Sequence, residues 1–224
     1  MEQSIRNAND GVGFAQVADS ALGQIQNLLG RAASLLSEAE SDTNSSGEVA
    51  IETELGQIYQ EIDRIGSATS FNGTAVFAAS TVNIFVGDTQ NLTASNAQIG
   101  VTTSVLSVAD LSITIGISGT GSGISVAIDG TNTATDMLNE VEAAIDTVAS
   151  RRGSLGASMN RLENAVSVMQ SQVQNLTAAE SQIRDADFAS EIANLTKFQI
   201  LSQVGVAAMA QANAVPQSVL SLFQ

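Results

Sequence analysis

The chain has 224 residues, 44% of them hydrophobic, enough for one or two domains with a real core. Its 23 acidic residues against 8 basic ones leave a formal net charge of −15, so nucleic acid and anionic membranes would repel it. Cysteine and histidine are both absent, which excludes a disulfide framework, a thiol nucleophile, a Cys or His metal site and a Ser-His-Asp triad. No apolar run reaches membrane-spanning length and no basic-then-apolar signal peptide opens the chain, so any export must take another route.

Glu2 to Glu40 reads as a first helix. Ala8, Gly11, Ala15, Ala18, Leu22, Ile25, Leu29, Ala32, Leu36 and Ala39 step by threes and fours, small in the early half and large in the later half. Small residues let a second backbone come close. Gly11, Gly13, Gly23 and Gly30 each weaken the isolated helix by about 1 kcal/mol against Ala, so packing must hold it. Ser41 to Gly47 is a polar connector in which Ser45 and Glu48 make a capping box. Asp42-Thr43-Asn44-Ser45-Ser46-Gly47 starts like a calcium loop, but the twelfth position is Thr53 where a bidentate Glu is needed, and a helix-helix turn explains it better.

Glu48 to Gly66 is a second helix on Ile51, Leu55, Ile58, Ile62 and Ile65, and the short connector makes it antiparallel to the first. Phe71-Asn72-Gly73-Thr74 supplies an Asn-Gly hairpin turn. Residues 76–130 then change texture. Alternations over Val82, Ile84 and Val86, over Leu111, Ile113, Ile115 and Ile117, and over Ile124, Val126 and Ile128 predict strands of a small β subdomain. Gly119-Thr120-Gly121-Ser122-Gly123 precedes a strand with no helix or Lys near, so it is a hairpin loop and not a phosphate cradle. Asn91 to Val108, rich in Thr and Ser, carries no assignable pattern.

Thr133 and Asp136 cap the third helix. Two interleaved heptad series run along it: Leu138, Ile145, Arg152, Met159, Val166, Val173 and Glu180, and Val141, Val148, Leu155, Leu162, Met169, Leu176 and Ile183. All are apolar except Arg152 and Glu180, which predicts a coiled-coil-like rod roughly 70 Å long. No proline interrupts it, and a stripe of that length needs helical partners from this chain or from other copies. The phase is lost at Arg184-Asp185-Ala186-Asp187, which predicts a hinge or kink; Pro216 predicts the end of the helix that follows. From Phe188 that segment is apolar nearly all round, with little charge beyond Glu191 and Lys197, so it reads as an assembly surface. The expected fold is therefore mainly α: a long antiparallel helical rod from 1–75 and 131–183, a small β-hairpin insert at 76–130, and a C-terminal assembly helix at 184–224.

Motifs along the chain resemble bacterial flagellin. They are Arg6-Asn7-Ala8-Asn9-Asp10-Gly11, then Glu61-Ile62-Asp63-Arg64-Ile65 with Phe71-Asn72-Gly73-Thr74, then Asn160-Arg161-Leu162-Glu163. Asn175 to Asp187, Ala210-Gln211-Ala212-Asn213 and Val215-Pro216-Gln217-Ser218-Val219-Leu220-Ser221-Leu222 complete the series in the family's order. The resemblance implies a filament subunit for motility, whose partners are other flagellin subunits. It also implies the flagellar export machinery with an export chaperone, secretion to the filament at the cell surface without a cleaved signal peptide, and no cofactor. Ile200, Leu201, Val204, Leu220, Leu222 and Phe223 would pack in the inner layer. Arg31, Leu35 and Glu54 match positions that contact the Toll-like flagellin receptor in the family, although Arg31-Ala32-Ala33-Ser34-Leu35 lacks the second Arg and the Glu of the family's pattern. Flagellins carry a further assembly helix ahead of the Arg6 motif, so the resemblance implies a chain shortened at its start.

The related alternative is a hook-filament junction protein, and the Asn175–Asp187 and C-terminal motifs favour flagellin proper. A surface adhesin or polysaccharide binder is a different class, motivated by the Thr-, Ser- and Asn-rich insert. The single Tyr59, the lack of Trp and the net charge of −15 argue against it. No nucleophile motif supports catalysis. The expected outcome is that this chain alone forms no filaments; electron microscopy of a concentrated, salted sample showing long tubes would overturn it.

Overall fold

The structure, a computed structural model, describes residues 1–40, 48–87, 97–114, 116–119, 124–128 and 133–221; within 185–187 and 214–221 it describes the backbone only. The Ser45 capping box, the calcium-loop likeness at Asp42–Gly47, Ile115, Gly121 to Gly123, Leu222 and Phe223 lie outside these residues, as does the Leu220 side chain. Three helices carry the fold: α1 (Glu2–Ala39), α2 (Glu48–Ala68) and α3 (Ala134–Ser221). Between α2 and α3 run six short strands: β1 (Ser70–Phe71), β2 (Thr74–Ala75), β3 (Ser80–Phe85), β4 (Gln98–Thr103), β5 (Ile117–Ser118) and β6 (Ser125–Val126). They pair antiparallel in three two-stranded sheets, β1 with β2, β3 with β4 and β5 with β6. The chain divides into two compact units, Met1–Gln170 and Ser171–Gln224.

In the first unit the helical stripes fall where the spacing puts them. Ala8, Gly11, Ala15, Ala18, Leu22, Ile25, Leu29, Ala32 and Leu36 are buried on α1, and Ile51, Leu55, Ile58 and Ile62 on α2. On α3 the two heptad series separate. Val141, Val148, Leu155, Leu162 and Met169 are buried, while Leu138, Ile145, Met159 and Val166 are half-buried against the same core. Each fully buried Leu or Val contributes about 1.5–3 kcal/mol relative to exposure, so this seam adds substantially to the unit's stability.

The helix directions follow from who meets whom. Arg31 of α1 bridges Glu54 near the start of α2, and Phe14 near the start of α1 packs edge-on against Phe71 just past the end of α2. The α1–α2 pair is therefore antiparallel, as the short connector requires. The Thr135 hydroxyl at the start of α3 donates to Glu40, Arg152 grips Asp19, and Leu162 lies beside Gly11. Position falls along α1 as it rises along α3, so that pair is antiparallel too.

The first turn of α3 is capped as expected: the Asp136 amide donates to the Thr133 hydroxyl at 3.2 Å, and that hydroxyl donates to the Asp136 carboxylate at 2.6 Å. The Asn72-Gly73 turn sits at positive φ at both residues (49° and 78°) and closes the β1–β2 hairpin. The strands β5 and β6 on either side of the Gly119–Gly123 run pair antiparallel, while residues 120–123 themselves lie outside the described residues.

Three expectations fail. The alternation from Leu111 to Ile117 is not one strand. Leu111, Ser112 and Ile113 close turns onto Ser107, Ala109 and Val108, and only Ile117 enters a strand. Leu111 and Ile113 are buried all the same, so the alternation reported burial without a strand partner. At the other end, helical hydrogen bonding runs through Arg184–Asp187 and past Pro216 to Ser221. A change of heptad phase moves the apolar face without unwinding residues such as Arg184 and Ala186 that favour helix. A proline deletes one backbone donor without forcing the helix to stop. Conversely, β4 lies in the stretch without an assignable pattern, where only Ile99 and Val101 signal it.

The β region is not a separate lobe. Val76, Ile84, Val101, Leu106, Val108 and Ile124 belong to the same buried cluster as the helices. Backbone groups of this region are tied to helix side chains. The Val108 amide donates to Asp63 at 2.8 Å, the Thr114 amide to Glu140 at 2.6 Å and the Ile128 amide to Glu52 at 2.7 Å. Gln60 donates to the Ile124 carbonyl and Arg151 to the Val105 carbonyl. These bonds satisfy irregular backbone that no sheet partner satisfies.

Beneath it, the Tyr59 hydroxyl is fully buried with no hydrogen-bond partner among the described residues, and burial pushes its pKa up, with Glu140 adding to the shift.

Two glycines separate the effects of space. A Cβ at Gly66 would run into the Leu106 carbonyl backbone, whereas one at Gly23 meets nothing within 4 Å. Gly66→Ala is expected to lose about 1–3 kcal/mol in urea unfolding. Gly23→Ala is expected to gain about 1 kcal/mol by helix propensity.

Candidate assembly surface

The site is built on the apolar stripe of α3. Gly11 of α1 lies beside Leu162. Met169 is the last buried residue of α3 among those described. The heptad series continues past it in Val173, Leu176 and Ile183, but Leu176 and Ile183 are exposed.

Within the second unit the exposed apolar residues go all round the helix. Phe188, Ile192, Leu195, Phe198, Val206 and Met209 are all more than half exposed. Ile200 (55%), Leu201 (55%) and Val204 (57%) stand among them, where the sequence placed an assembly contact. Between Phe188 and Asn213 the only charges are Glu191 and Lys197. Soluble chains rarely leave a contiguous apolar surface of this size open, and one that does marks an interaction site. Nevertheless, no helix of the described residues is long and apolar enough to cross a membrane.

The three residues at the first two helices divide. Arg31 Nε donates to Glu54 Oε1 at 2.8 Å, with both side chains well exposed, and that hydrogen bond holds the guanidinium pKa above its ordinary value. Leu35 is only 3% exposed and packs in the core, so the fold brings Arg31 and Glu54 together at the surface and turns Leu35 away from it.

One functional group was visible as an anomaly and went unexplained in the heptad pattern. Arg152, the polar exception in the apolar series, donates from Nε to Asp19 Oδ1 at 2.7 Å and from Nη2 to Asp19 Oδ2 at 3.2 Å. Its Nη1 donates to Gln26 Oε1 at 2.8 Å. The Asp19 carboxylate pushes the guanidinium pKa up, first through the hydrogen bond and then through its charge. Among the described residues no group of three or more acidic side chains is placed to hold a metal ion.

Comparison with known proteins fits this geometry. The model of the bacterial flagellin N-terminal helical region matches residues 1–81, and that of the C-terminal helical region matches 138–223. A flagellin of Halalkalibacterium halodurans is 33% identical over 226 residues, covering 100% of this chain and 79% of that one. A flagellar filament 33 kDa core protein of Treponema phagedenis is 34% identical over 237 residues, covering 100% and 80%. The crystal structure of Bacillus cereus flagellin superposes with a TM-score of 0.56 at 23% identity, over 78% of this chain and 94% of that one, a likeness of fold. With both terminal helical regions matched and full-length relatives at a third identity, the chain belongs to the bacterial flagellin family, whose members are structural subunits of the flagellar filament.

Proposed function

We propose that this chain works as a filament subunit whose exposed segment beyond Met169 enters a helical layer shared with other copies, the part from residue 184 onward being the assembly segment proper. The observation that carries the reading is the apolar stripe of α3, which is buried up to Met169 and exposed from Leu176 onward. At about 25 cal/mol per Å2, burying this surface between chains is a large driving force. The family is structural, and nothing here calls for catalysis. Export would use the flagellar machinery and an export chaperone, without a cleaved signal peptide, and would end in the extracellular filament. Ile200, Leu201 and Val204 are three contacts of the shared layer, with Leu220, Leu222 and Phe223 completing it. Replacing Ile200, Leu201 and Val204 together by Ser is expected to reduce self-association in light scattering and leave the melting of the first unit unchanged. Undiminished association would sink the reading.

A second reading concerns an animal receptor of the Toll-like flagellin class, and the exposed Arg31–Glu54 bridge is what favours it. The pair presents one cation and one anion in a fixed geometry, and the buried Leu35 takes no part. In a receptor reporter assay Arg31→Ala is expected to lower activation several-fold relative to the unaltered chain; equal activation would remove the reading.

A further inference from the structure

We propose that the clamp of Arg152 on Asp19 and Gln26 is a register pin. On this reading it decides which residues of α1 and α3 face one another in the first unit.

The argument begins from the repeat. Apolar heptads specify that two helices pair, but a seam of similar apolar residues fits nearly as well when one helix slides by seven. Along α3 the series Leu138, Ile145, Met159 and Val166 repeats at that spacing and marks no register by itself; the fit of Leu162 over Gly11 marks one by shape, and Arg152 marks the same one by charge. Arg152 interrupts that series, and its partners Asp19 and Gln26 are themselves seven residues apart on α1. Only one register gives the guanidinium both. A slide of one heptad in one direction sets it against Gln26 and Ala33, with no carboxylate. A slide the other way sets it against Asp19 and Val12, with the amide acceptor lost.

The pair is also poorly suited to any purpose but selection. The Arg152 side chain is 38% exposed and that of Asp19 31%, and partly solvated ion pairs add little to overall stability. A polar group at a core heptad position instead penalises the wrong pairings, its best-attested use.

The absence of cysteine makes the test clean. In the full chain, the pair Glu40→Cys with Thr135→Cys reports the native register, because these side chains touch at 2.9 Å. The pair Glu40→Cys with Glu142→Cys reports a slide of one heptad. Each pair is oxidised mildly and the rates of disulfide formation are compared, with helix content followed by circular dichroism. Adding Arg152→Leu is expected to shift the ratio of native to slid pairing by about tenfold toward the slid pair, the factor expected for one charge-assisted hydrogen bond. Asp19→Asn keeps the shape and removes the charge, and it is expected to shift the ratio the same way by less; it also answers the question should the Leu variant fail to fold. An unchanged ratio in a folded variant overturns the pin.

Discussion

The antiparallel seam between α1 and α3 is the constraint on which the rest of the structure depends. Both helices are stepped for it, and α1 is too weak in intrinsic propensity to stand alone. Gly11, Gly13, Gly23 and Gly30 on α1 would make an isolated helix weak. Gly11 accepts this cost for a reason visible in the packing: Ile84 and Leu162 close over it from two sides, leaving no space for a Cβ. Here the small early half of the α1 stripe meets both α3 and β3, whereas the large later half fills the wider space beside α2.

The irregular β region completes that core instead of hanging from it. Its backbone is fastened to Asp63, Glu52 and Glu140, three of the many carboxylates in this acidic chain. The excess of acid therefore has a structural share as well as a part in solubility. Carboxylates accept backbone amide donors that short strands leave over, and they do so from helices whose directions are already fixed. Tyr59 shows the opposite case, a hydroxyl enclosed by this layer with no partner among the described residues.

A single apolar stripe runs along α3, buried up to Met169 and exposed at Leu176 and Ile183. On the proposed reading fold and assembly use the same pattern: Leu162 is covered within the chain, and Leu176 would be covered by other copies.

The sequence by itself determined the first two helices and the start of the third, their apolar faces, the Asn72-Gly73 hairpin, the Thr133–Asp136 cap and the family. These rest on local chemistry or on periodicity, such as a turn needing positive φ, a hydroxyl beside a free amide or a repeat of seven. It did not show that the last helix is continuous through Arg184–Asp187. Only the tertiary structure decided that Leu111 and Ile113 are buried in turns, that β4 pairs with β3, and that Leu35 faces inward while Arg31 and Glu54 meet outside. Alternation and spacing report which side chains leave water, and the same pattern serves a strand, a turn or a helix face. Which partner covers them, and in which register, is settled by contacts between residues as far apart in the chain as Asp19 and Arg152.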